Sequence, residues 1–69
     1  MKLSARNMLK GKVSEIEMGS VNVVVKVDLG GGQMLSSMIT MDAVKDLGLK
    51  VGDEVYAIIK SSSVILGTM

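Results

Sequence analysis

Val21, Val23, Val25, Val27 and Leu29 alternate with Asn22, Val24, Lys26 and Asp28, and the run ends in three glycines at 30–32. Side chains along an extended strand point to opposite faces in turn, so this pattern reads as a strand with one buried face. The glycines read as a tight hairpin connection. They lack the Gly-Lys-Ser/Thr ending and the following helix that a phosphate-binding loop requires. Upstream, LKGKVSEIE at 9–17 reads as a weaker strand, in which Gly11 marks a bend or a close backbone approach. Met18, Gly19 and Ser20 form the turn between the two strands, with Gly19 free to take a positive φ. QMLSSMIT at 33–40 reads as a third strand.

The periodicity changes at Thr40. Thr40 is a fitting N-cap for a short helix, MDAVKDLG, with Asp42 in the first turn and Gly48 as the stop. Met41, Val44 and Leu47 fall on one face of it. Leu49 and Val51 return to the core, and VYAII and SVIL read as the fourth and fifth strands. Five strands from one short chain close most economically into a curled barrel, which limits unpaired edges. The expectation is an all-β, OB-like five-stranded barrel with one short helix between strands 3 and 4, forming a single domain over 1–69.

That barrel has little interior for what the sequence asks it to hide. Hydrophobic residues are 48% of 69, seven of them Met, and there is neither Cys nor His. A chain of this length buries only about 60% of the surface its unfolded form exposes. With no disulfide and no usual transition-metal ligand, a partner subunit is the expected staple. The net charge of +1 argues against a nonspecific nucleic-acid binder. The solitary aromatic residue, Tyr56, argues against base stacking on the barrel. MKLSARNMLKGK has no signal-peptide h-region, and no apolar run approaches a membrane span, so a cytoplasmic location is expected.

An enzyme is not expected. Paired carboxylates are lacking among the polar clusters, and Lys60 and Ser61, read as neighbours on a strand, point to opposite faces. Two donor clusters without acids remain: Ser4, Arg6 and Asn7 near the start, and Lys60 with Ser61, Ser62 and Ser63 near the end. Arg supplies a rigid fork of N–H donors, Lys a point charge and Ser a short hydroxyl. Together they suit a small oxyanion. On spacing alone, Arg6 and Lys60 also read as ordinary solvated surface charges, and nothing in spacing brings the chain ends together.

SARNMLKGKV and AIIKSSSVILG, around VNVVVKVDLGGG and MDAVKDLGL, resemble the molybdate-binding proteins called molbindins, whose module recurs as the TOBE domain of molybdate transporters and regulators. The resemblance spans essentially the whole chain. It implies an OB-related barrel that assembles as a homohexamer, a trimer of dimers. It implies binding of molybdate, and also tungstate, at subunit interfaces for intracellular storage or buffering, with molybdenum held as its oxyanion and no direct metal ligands. Carried over residue by residue, the family's first site falls on Ser4, Arg6, Thr40, Lys60 and Ser61. Ala43 stands where related regulators have a Ser. A second site falls on Gly19, Ser20, Val21 and Asn22. The alternatives are an oxyanion-sensing or dimerisation module of a transporter ATPase or regulator, and, disfavoured, a nucleic-acid-binding OB domain. The initial Met and the complete set of elements favour a free-standing protein; the near-neutral charge, the single aromatic residue and the short apolar runs lead to the expectation of neither nucleic-acid nor membrane partners.

Overall fold

The computed structural model describes residues 4–69; the first three residues of the expected 1–69 domain lie outside the described part. Strands β1 (Asn7–Met18), β2 (Asn22–Gly30) and β3 (Gln33–Thr40) precede a helix, α1 (Met41–Leu47). Strand β4 (Glu54–Ile59) and a single 3-10 turn (Ser61–Ser63) follow. The four strands form one antiparallel sheet in the order β3-β2-β1-β4.

The long strand β1 organises the sheet. Its first half pairs with β4, from Asn7 opposite Ile59 to Lys12 opposite Glu54. Its second half pairs with β2, from Lys12 opposite Asp28 to Met18 opposite Val23. An irregularity in register between Val13 and Glu15 leaves Ser14 as the extra residue, and its hydroxyl donates to the Lys26 carbonyl at 3.2 Å. A bulge of this kind bends the strand and increases its twist, which curls the sheet. Gly11 sits inside the curl. A Cβ there would lie 2.6 Å from Val27 Cγ1 and 2.7 Å from the Asp28 carbonyl oxygen, so the close approach requires glycine.

The core follows the alternation seen in the sequence. Val13, Val23, Val25 and Val27 are buried, with Ile16, Leu29, Leu35, Ile39, Met41, Val44, Leu49 and Val55 packed around them. Val21 is the exception: it precedes β2 in the turn and is exposed. The turn glycines divide by cause. Gly30, Gly31 and Gly32 all have positive φ, as a tight hairpin needs. Gly19 does not, contrary to the expectation from its sequence. Its N–H donates to the Asn22 carbonyl at 3.0 Å, and a side chain would collide with that same carbonyl.

Helix α1 is capped as its sequence implies. Thr40 Oγ1 accepts from the Ala43 N–H at 3.1 Å, and Gly48 closes the other end in the left-handed region. Met41 and Val44 face the core. Leu47 and Val51, expected to join them, are 68% and 65% exposed. Val51 is carried outward because Gly52 and Asp53 are pinned to Val13 by two backbone hydrogen bonds of 2.7 and 2.9 Å.

The sheet has four strands among the described residues, not five. SVIL does not pair: the chain makes its 3-10 turn at Ser61–Ser63, and residues 64–69 carry no regular structure. β3 and β4 therefore remain unpaired edges of a half-barrel. Between them lies an open, largely apolar cleft of about 540 Å³, lined by Leu35, Ile39, Leu49, Val55, Ala57 and Ile59 among others. Among the described residues, no helix is long and apolar enough to cross a membrane.

Candidate functional site

The antiparallel pairing of β1 with β4 brings the two donor clusters to one place. Asn7 and Ile59 are the last pair of that ladder. Arg6 immediately precedes Asn7 and Lys60 immediately follows Ile59, so both leave the ladder at the same end. Both are exposed. Two residues separated by most of the chain thus lie at one corner of the sheet, within one chain. The corner is fastened by a side chain: the Asn7 amide Nδ2 donates to the Ile59 carbonyl oxygen at 3.3 Å.

Beyond Lys60 the backbone turns rather than continuing as a strand. Ser63 N–H donates to the Lys60 carbonyl at 2.9 Å, and Val64 N–H to the Ser61 carbonyl at 3.3 Å. Ser61 therefore belongs to a 3-10 turn, which corrects the expectation that it alternates with Lys60 along a strand. The turn is wound entirely from serines, whose hydroxyls are short donors at the rim of the Arg6–Lys60 corner. Among the described residues no hydrogen bond joins the Lys60 ammonium to the Ser61 hydroxyl. Ser4 is exposed two residues before Arg6, and Ala5 between them is half-buried.

Among the described residues no ion pair compensates the charge at this corner. Among the described residues the ion pairs join Lys10 to Glu54 at 3.0 Å, and Lys26 to Glu17 at 3.3 Å and Glu15 at 3.4 Å. A hydrogen bond to Glu54, reinforced by its charge, raises the Lys10 ammonium above the ordinary lysine value. Hydrogen bonds to Glu17 and Glu15 do the same for Lys26. Arg6 and Lys60 take part in none of these pairs. Like charges brought to one end of a ladder repel. An anion seated between them would remove that repulsion and accept from both.

Thr40 lies elsewhere. It ends β3, where it pairs with Asn22 at the start of β2. That edge sits beside Met18, the opposite end of β1 from Asn7. The twelve residues of β1 thus separate Thr40 from Arg6 and Lys60 along the strand. Thr40 instead neighbours the second expected site: Met41 N–H donates to the Val21 carbonyl at 3.2 Å, and Asn22 pairs with Thr40 itself. Gly19, Ser20, Val21 and Asn22 form an exposed hairpin tip whose polar groups are mostly backbone. The chain therefore carries two separate polar corners. One holds Ser4, Arg6, Lys60 and Ser61, and the other holds Thr40 with 19–22.

Asn7 belongs to the donor cluster that the sequence offers but not to the site that the resemblance implies; its partner, the Ile59 carbonyl, follows only from the register. Among the described residues, no cluster of three or more His, Cys, Asp or Glu side chains is placed to hold a metal ion. The donor set is cationic and hydroxylic, and such groups suit an anion rather than a bare metal.

The TOBE domain model matches residues 3–66 of this chain. A probable molybdenum-pterin-binding protein from Haemophilus influenzae is 61% identical over 67 residues, covering 97% of each chain. Among solved structures, a molybdate-binding protein from Sporomusa ovata superposes with a TM-score of 0.91 at 38% identity, covering 99% of this chain and all of that one. The cytoplasmic molybdate-binding protein ModG, in a form with molybdate bound, gives a TM-score of 0.94 at 51% identity. That match covers all of this chain and 49% of ModG.

Proposed function

Because the chain belongs to the TOBE domain family, we propose that it binds molybdate, and also tungstate, as an intact oxyanion at interfaces between copies of itself. The observation that carries this reading is the meeting of Arg6 and Lys60 at the end of the β1–β4 ladder, exposed and without a carboxylate. Two cations supply the charge that a dianion requires. Ser4 and Ser61, the first residue of the serine turn, supply neutral donors at short range. The names of its relatives agree with this chemistry, since they are described as binding molybdate or molybdenum-pterin.

Thr40 joins that site from a second copy. Within one subunit it stands at the far end of β1, so a pocket containing Arg6, Lys60 and Thr40 together is built across an interface. The apolar surface supports the same assembly. Ile65 and Leu66 are 92% and 89% exposed in a tail without regular structure, while the cleft between β3 and β4 is open and apolar. A second subunit that fills the cleft completes the barrel the sequence implies and hides the tail. In this reading the whole span 1–69 is one TOBE module acting as a binding protein, not an enzyme. It works in the cytoplasm as a homohexamer, a trimer of dimers, and stores or buffers the anion, with Gly19, Ser20, Val21 and Asn22 at a second class of site. The match to half of the longer ModG chain favours one alternative, the same module serving within a larger oxyanion-handling protein.

Calorimetric titration with molybdate, tungstate, sulfate and phosphate tests the reading. Saturable binding of molybdate and tungstate is expected, with sulfate and phosphate much weaker. Molybdate heats no greater than those of sulfate at equal ionic strength would overturn it.

A further inference from the structure

We propose that Asn7 is a positioning residue for the oxyanion site, holding Arg6 and Lys60 at a fixed spacing; the proposal rests on the reading of that corner as the molybdate site. The Asn7 amide donates to the Ile59 carbonyl across 3.3 Å, linking positions 52 apart in sequence. That single bond joins the residue directly after Arg6 to the carbonyl directly before Lys60. It sits at the last rung of the β1–β4 ladder. Beyond it Arg6 is in a bend and Lys60 leads into the 3-10 turn, so no further strand pairing controls the gap between them.

Ladder ends fray, and here the two residues beyond the end repel one another. A clamp at this rung is where resistance to splaying is most effective. Asn7 is half-buried while Arg6 and Lys60 are exposed, so it stands behind the charges rather than among them. One hydrogen of its amide is committed to the Ile59 carbonyl, and the second remains free to donate. Contact of that second N–H with the anion is the lesser part of its role, since the side chain is half-buried and already bound across the ladder. The larger part is to keep the Arg6 fork aimed, which lowers the ordering cost of binding.

The test is a double-mutant cycle read by molybdate titration, using the full chain and checking the oligomer mass and thermal midpoint of every variant. Asn7→Ala is expected to weaken molybdate binding about three- to tenfold, the range that one neutral hydrogen bond commands. In an Arg6→Lys background the same substitution should cost less than about twofold, because a flexible point charge does not depend on being aimed. A merely structural Asn7 would cost the same in both backgrounds, and that additivity would overturn the proposal. Unchanged affinity in Asn7→Ala would overturn it as well. If Asn7→Ala does not assemble, Asn7→Ser enters the same cycle: its shorter hydroxyl does not span the gap, and the same non-additivity is expected. Arg6→Ala separates this proposal from its premise. Undiminished molybdate binding in Arg6→Ala removes the site itself, whereas weakened binding there with an additive Asn7→Ala removes only the positioning role.

Discussion

Arg6, just before β1, and Gly11, within it, were legible in the sequence to different depths. Arg6 stood out because it lies among small polar residues with no acid nearby. Its meeting with Lys60 was not legible, because that depends on the β1–β4 register, which no local pattern fixes. Arg6→Ala is expected to leave the fold intact, since the side chain is exposed and outside the ladder. It should weaken molybdate binding by about 1.5–3 kcal/mol, the worth of a charge-assisted hydrogen bond, as titration would measure. Arg6→Lys should recover only part of that loss, because a point charge does not reproduce the planar fork. Near wild-type affinity in a correctly assembled Arg6→Ala protein would return Arg6 to the standing of an ordinary surface charge. Gly11 behaves oppositely, carrying fold and no binding. A methyl group there meets the Asp28 carbonyl, which is backbone and cannot swing aside. Gly11→Ala should destabilise the protein by about 1–3 kcal/mol, the usual cost of overpacking, read as a lower urea midpoint with an unchanged slope.

Elements were legible where one face decides them. β2 was clear because its inward valines meet Val13 and the helix, and α1 was clear because Thr40 and Gly48 bracket it chemically. SVIL failed as a strand for a physical reason. Its apolar residues carry β propensity, but a strand needs an edge to pair with, and after the serine turn the tail pairs with neither edge of its own sheet. The helix start offers a way to divide structure from binding. Thr40 Oγ1 already accepts the Ala43 N–H, so its hydroxyl hydrogen is what remains to offer an anion. Thr40→Ala should lose both roles, costing about 1 kcal/mol of stability through the cap alone. Thr40→Asp should keep the cap, since Asp accepts the same N–H and suits the helix N-terminus. Its carboxylate would repel an oxyanion. The expected result is a thermal midpoint close to wild type without molybdate, together with strongly weakened molybdate binding. Undiminished binding in Thr40→Asp would remove Thr40 from the site.

At the scale of the whole molecule, the half-barrel and the apolar tail describe one problem from two sides. Both expose surface that a small monomer cannot bear at little cost, and β3 and β4 offer unpaired edges beside it. Sequence composition announced the surplus; it did not say where the surplus would lie, because that follows from which edges the sheet leaves open. Sedimentation equilibrium should therefore show an oligomer, most simply the hexamer, at micromolar concentration. A chain ending after Ser63 removes Ile65 and Leu66 while keeping Lys60 and Ser61. If the tail is buried against a neighbour, this truncation should dissociate the assembly and lose molybdate binding together, although the Arg6–Lys60 corner persists in each subunit. Linkage gives the companion expectation for the intact chain. A ligand that binds only the assembled native state stabilises it by about 2.7 kcal/mol at a hundred times its dissociation constant. Molybdate should accordingly raise the thermal midpoint of the full chain and leave that of the truncated chain unmoved, with sulfate at matched ionic strength as the control for salt. A truncated chain that sediments as a monomer yet still gains stability from molybdate would place a complete site within one subunit, and Thr40 would then have no part in it.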